Sequence, residues 1–157
     1  MCRHARVFPR TKGIADTGFI VAAGRKNDRY HAWAVDIAKN VTQPLLTCES
    51  VPSKAAFHLE SSSWVQSLVE NELLQVAFDF SANIPQLREL ARRYVDRKPD
   101  LADICLVRMS ELYPHHPIIT IDEADFRIFR KNITRGHPAY LPAPSKLTTS
   151  GSESPTV

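Results

Sequence analysis

Three short aliphatic runs, Ile14-Ala15, Leu45 to Cys48 and Ile118 to Ile121, each end against an acidic residue. Stretches with helical periodicity separate them. A short apolar run bounded by turn chemistry is the pattern of a buried strand, and strands that alternate with helices build a parallel sheet. The first run ends near Asp16 and leads into a helix through Phe19 to Ala23. Tyr30, Trp33, Ala34, Ile37 and Val41 mark an amphipathic helix, broken by Pro44. A further helix begins at Ser53 and carries Ala55, Ala56, Phe57 and Leu59. Ser61 to Ser63 is a break and N-cap run before Trp64, Leu68, Val69 and Leu73. Val76 to Phe80 alternates and reads as another strand. Ile84, Leu87, Leu90, Ala91, Tyr94 and Val95 form one helical stripe, and Pro99 opens a helix through Leu101, Ile104, Cys105, Met109 and Leu112. Phe126 and Phe129 fall on a last short helix. The expected fold is α/β: a three-layer α/β/α sandwich around a central, mostly parallel sheet. Residues 1–12 form a basic extension, 13–135 the domain, and 136–157, rich in Pro, Ser and Thr, an expected disordered tail.

Several function classes are excluded. The longest uninterrupted apolar run is five residues, Phe19 to Ala23, far short of the roughly 20 that span a bilayer. Met1 to Lys12 lack the apolar segment of a secretory signal. The five glycines form no GxGxxG and no GxxxxGK[ST], so no phosphate cradle of either kind is available. Cys2, Cys48 and Cys105 are odd in number and widely spaced, which argues against zinc ribbons and disulfide scaffolds and fits a reducing cytoplasm. His115 and His116, between Pro114 and Pro117, read as a loop rather than a metal site.

The net charge of +3 is unevenly spread. Residues 1–13 carry +4, residues 127–135 carry another +4, and residues 14–126 carry −5. An acidic middle is thus flanked by basic ends, which suit a polyanion such as RNA or simply solvate the two ends.

The acids of the middle segment stand where α/β sheets bind ligands, at the carboxyl ends of strands. Asp16 falls at the end of the first strand, Glu49 directly after the second, and Asp122 directly after the Ile118–Ile121 run. Asp100 and Asp103 open a helix three residues apart and share one face. Carboxylates at close quarters raise one another's pKa unless a cation holds them, and all-oxygen ligands suit magnesium or manganese. Such an ion supports phosphodiester hydrolysis. Each acid also has a structural use. Asp-Thr-Gly at residues 16–18 is turn chemistry, Asp100 is a natural N-cap, Asp103 suits a helix N-terminus, and Asp122 with Asp125 repeats that arrangement at the last helix.

Four blocks resemble PIN-domain proteins, the ribonuclease fold of VapC-type toxins. They are Ala15 to Ala22 with Asn27 to Ala34, Leu46 to Val51, Asp100 to Val107, and Ile119 to Phe126, in the family's order over residues 13–135. The resemblance implies a magnesium- or manganese-dependent ribonuclease. Its acidic site maps onto Asp16, Asp103 and Asp122, with Asp100 and Asp125 as neighbours. Asp16 and Asp103 would ligate metal, and Asp122 would complete the site or help place the water. It also implies a cytoplasmic toxin held by a small antitoxin protein, and a possible homodimer.

One position departs from that pattern. Where the family carries a glutamate at the start of the helix after the second strand, this chain has Lys54. Glu49, five residues earlier, is the nearest acid that could substitute. If Lys54 points into the site, its ammonium competes with metal and pairs with Asp16 or Asp103. If the helix is rotated, it reaches solvent at little cost. The first case gives the rival reading, a degenerate domain that binds RNA or an antitoxin without cutting. A receiver-like phospho-acceptor is a third reading, opposed by the lack of a lysine-bearing strand end after Asp122.

Overall fold

The computed structural model describes residues 12–122. The basic N-terminal run before Lys12, Asp125, the helix expected around Phe126 and Phe129, the basic cluster at 127–135 and the tail all lie outside the described residues.

The chain runs β1 (Ile14–Ala15), α1 (Thr17–Gly24), α2 (His31–Lys39), β2 (Leu45–Thr47), α3 (Ser50–Leu59), α4 (Ser62–Glu70), β3 (Leu74–Val76), α5 (Ile84–Arg93), α6 (Leu101–Leu112) and β4 (Ile118–Ile119). The strands form one sheet in the order β3-β2-β1-β4, all parallel. Helices flank this sheet, as in a three-layer α/β/α sandwich. Central β1 has both residues fully buried, as a parallel strand covered on both faces must. Its register pairs Ile14 with Leu46 on one side and with Ile118 on the other.

The helices bury only part of the stripes read from their spacing, and Phe57, Val69, Val95, Leu101 and Leu112 are exposed. Phe19 and Ile20 of α1, Val51 and Ala55 of α3, Leu87 and Leu90 of α5, and Leu106 and Met109 of α6 meet in one core. Phe19 and Trp33 join α1 to α2 edge to face, their centroids 5.9 Å apart. Ser61 caps α4 by accepting from the Trp64 N–H at 3.4 Å.

Several boundaries differ from expectation; the strand expected over Ile118 to Ile121 pairs only at Ile118–Ile119, and α4 ends at Glu70, before Leu73. Helix α2 stops at Lys39 rather than Val41, because the Asn40 side-chain amide donates to the Asp36 carbonyl at 2.7 Å and closes the last turn. Helix α3 starts at Ser50, three residues early; Pro52 sits in its first turn, where a missing N–H costs nothing. Strand β3 is Leu74–Val76 rather than Val76–Phe80. Pairing with β2 sets its position, Leu45 opposite Leu74 and Thr47 opposite Val76, and buries Leu74. Beyond Ala77, whose N–H bonds the Thr47 carbonyl at 3.0 Å, the chain leaves the sheet and Phe80 is exposed. The alternation there follows no pleat.

Candidate functional site

Strand order places the site. From β1 the chain steps to β2 and β3 on one side, and later returns to lay β4 on the other. The connections leaving β1 and β4 therefore diverge, and the carboxyl ends of those two strands border a crevice. Asp16 stands there as the N-cap of α1. One carboxylate oxygen accepts from the Thr17 N–H at 2.6 Å, and the other from the Thr120 hydroxyl at 2.7 Å. Thr120 Oγ1 in turn accepts from the Asp122 N–H at 3.0 Å, so one buried hydroxyl ties the ends of β1 and β4 together. Gly18 permits this closeness: a Cβ there would lie 2.7 Å from Ile121 Cγ1.

The other acids come from α6. Asp100 is its N-cap and Asp103 its third residue, and they form a reciprocal capping box. The Asp103 N–H donates to Asp100 at 2.9 Å, and the Asp100 N–H donates to Asp103 at 3.3 Å. The capping role read from the sequence is therefore real. It coexists with a place in the crevice: Asp16, Asp100, Asp103 and Asp122 line one hollow of about 380 Å³. Arg25, Lys54, His58 and Thr17 also line it. Arg25 closes one wall by donating to the His58 carbonyl at 2.7 Å.

Lys54 points into this hollow. Its ammonium forms an ion pair with Asp100, not with Asp16 or Asp103 as expected. Glu49 does not join the cluster. It is exposed and lies beside a separate hollow of about 220 Å³ with Cys48, Ser50, Phe78 and Cys105. Five residues along a helix turn a side chain through about 500°, so Glu49 and Lys54 face directions about 140° apart. Glu49 is thus corrected from a site residue to the mouth of a neighbouring hollow. Asp122 sits exposed on the rim of the acidic one.

The charges act on one another. Burial pushes the Asp16 carboxyl above its ordinary range, although its bonds from Thr120 and Thr17 pull the other way. Burial, and then the neighbouring charge of Asp100, raise Asp103 to about 6. Burial also acts on Asp100, but the Lys54 ammonium and the Asp103 N–H outweigh it and hold Asp100 low. The bond to Asp100, with the charges of Asp103 and Asp16 behind it, raises Lys54.

The donor chemistry fits magnesium or manganese: carboxylate oxygens in excess over cations, two of them driven towards protonation by burial and, for Asp103, by its neighbours. The buried Thr17 hydroxyl, on the same wall, has no hydrogen-bond partner among the described residues. Among those residues no three of His, Cys, Asp and Glu are grouped to hold an ion.

Sequence reasoning missed Thr120 and the Arg25–His58 wall. It also missed that Cys48 and Cys105 meet across β2 and α6: a hydrogen bond from Cys105 brings the Cys48 thiol down to about 7. Nothing in the spacing signals that meeting. Thr120, two residues before a predicted site aspartate, was open to suspicion as its support. No helix among the described residues is long and apolar enough to cross a membrane. A scan against protein-family models and a search of curated proteins each return no match.

Proposed function

We propose that the chain is a divalent-metal-dependent endoribonuclease of the PIN type, a hydrolase cutting RNA phosphodiester bonds at the Asp16 hollow. One observation carries the reading: acids from three of the blocks that resemble PIN domains line a single crevice at the switch point of the sheet. Asp16 and Asp103 would hold the ion, with Asp122 on the rim placing the attacking water. When bound, magnesium or manganese would supply positive charge for the phosphoryl oxygens and make water easier to deprotonate. Thr120 holds the Asp16 carboxylate in place, and the Asp100 N–H does the same for Asp103. Arg25, on the wall, would meet a phosphate there. The role of a cytoplasmic toxin, an antitoxin protein as partner and a homodimer rest on the resemblance.

The test is cleavage of an RNA with single-stranded and structured parts, with manganese, with magnesium and with chelator, beside Asp16→Asn. Metal-dependent cutting that the variant loses is expected; equal cutting by the variant overturns the site. The Lys54–Asp100 ion pair favours a second reading, an RNA-binding domain that does not cut. On that reading the protein retains RNA without cleaving it, and Lys54→Glu restores cleavage.

A further inference from the structure

We propose that Cys48 and Cys105 are a peroxide-oxidised pair: a small hydroperoxide entering the hollow between the end of β2 and α6 joins the two thiols in a reversible disulfide. The inference concerns a hollow apart from the Asp16 site and is independent of the ribonuclease reading.

Two elements far apart in the chain bring the thiols together. Cys48 follows β2 directly, and Cys105 lies in the second turn of α6. Both are free, and both line the hollow of about 220 Å³ that opens beside Glu49, between the exposed side chains of Phe80 and Leu101. Each cysteine is only 1% exposed, which keeps out a bulky disulfide reagent. Hydrogen peroxide is little larger than water, which takes about 30 Å³, so the hollow has room for it. The two thiols are not equivalent. The Cys105 thiol donates to the Cys48 sulfur, as do the Val51 and Ser50 N–H groups at the start of α3 and the Ser50 hydroxyl. Against the opposing pull of burial, these donors hold the Cys48 thiol down to about 7. Cys48 is therefore the nucleophile and Cys105 the partner that resolves it. The Cys48 thiolate attacks one peroxide oxygen; the S–O bond forms, the O–O bond breaks, and the hydroxide that leaves takes the proton Cys48 gave up and becomes water. The Cys105 sulfur then attacks the sulfur of the Cys48 sulfenic acid; the S–S bond forms, the S–O bond breaks, and the departing hydroxide takes the Cys105 proton as a second water. Two thiols are oxidised and one peroxide is reduced. The bond ties the end of β2 to α6, the helix whose first turn carries Asp100 and Asp103.

The experiment treats the full chain, reduced and then freed of reductant, with one equivalent of hydrogen peroxide at pH 7. Remaining thiols are counted in denaturant, and linked peptides are mapped by mass spectrometry. Wild type has three cysteines and is expected to fall to one thiol, through a Cys48–Cys105 link that a dithiol reductant reverses. The oxidised form is expected to melt about 5–10 °C higher, because the link closes a long loop. Cys2→Ser is expected to form the same link and lose both its thiols. On that Cys2→Ser background, Cys105→Ser is expected to stop at a sulfenic acid on Cys48, which dimedone labels, and Cys48→Ser to leave Cys105 unlabelled. Three thiols remaining in wild type, a link made through Cys2, or dimedone on Cys105 in the Cys48→Ser protein overturns the inference. If the buried serine variants do not fold, the thiol count and the mapped link in wild type and Cys2→Ser decide it alone.

Discussion

Replacing Asp103 by asparagine should stabilise the metal-free protein, and only at neutral and alkaline pH. Asp103 titrates near 6 rather than at the ordinary 3.8, because burial and the Asp100 charge disfavour its ionised form. The folded state therefore holds this proton more tightly than the unfolded chain does. Below about pH 4 both states are protonated and no penalty exists. Between about 4 and 6 the penalty grows as pH rises, and above about 6 it is complete. A shift of about two pKa units corresponds to a ceiling of about 3 kcal/mol. The side chain is only half-buried, and solvent screening reduces this to about 1 kcal/mol. Asparagine removes the charge and keeps an oxygen to accept from the Asp100 N–H, so the capping box survives. For a chain of this size the gain is roughly 3–5 °C in Tm at pH 8. Thermal unfolding in chelator from pH 4 to 8.5 measures it. Adding manganese at pH 8 should raise the wild-type Tm and leave the variant unmoved, because only the wild type can use the carboxylate on an ion. A variant less stable than wild type at pH 8, or a gain equally large at pH 4, would refute the electrostatic account of the hollow.

Two further substitutions test the supports of the site. Thr120→Val removes the hydroxyl that donates to buried Asp16 and accepts from the Asp122 N–H, leaving Asp16 one bond short; denaturant unfolding should show a loss of about 1–3 kcal/mol, with weaker manganese binding. Gly13→Ala should cost about 1–3 kcal/mol in the same assay, since its Cβ would lie 2.7 Å from the Pro117 carbonyl, which is fixed by its bond from the Ile14 N–H.

The fold was legible where one sequence signal outweighed the rest. Ile14-Ala15, Leu45 to Thr47 and Ile118-Ile119 are aliphatic because a parallel strand is covered on both faces, and no helical period competes there. The third strand was misplaced because its position depends on a partner. Leu74–Val76 is a strand by pairing with Leu45–Thr47, while the local pattern at 76–80 belongs to chain leaving the sheet. Pairing across 29 residues leaves no mark on either segment alone. The same holds for Cys48 and Cys105, whose meeting is a product of how α6 lies against the end of β2.

The site shows a sharper limit. Asp100 and Asp103 were open to two readings, helix cap or ligand cluster; in the structure they form the cap and also line the hollow. A capping box aims its two carboxyls at the N-terminus of the helix, and α6 begins beside the crevice, so the cap and the cluster are one arrangement. Lys54 differs, because its direction depends on the phase of α3. A start at Ser53 leaves that phase open; a start at Ser50 sets it, burying Val51 and Ala55 and turning Lys54 towards α6. Buried Val51 and Ala55 fix the phase of α3, so Lys54 leaves the helix on the side that faces α6, with its side chain 40% exposed. Its ion pair with Asp100 then sets the ammonium at the hollow. Any chemistry at Asp16 and Asp103 has to proceed with that positive charge in place.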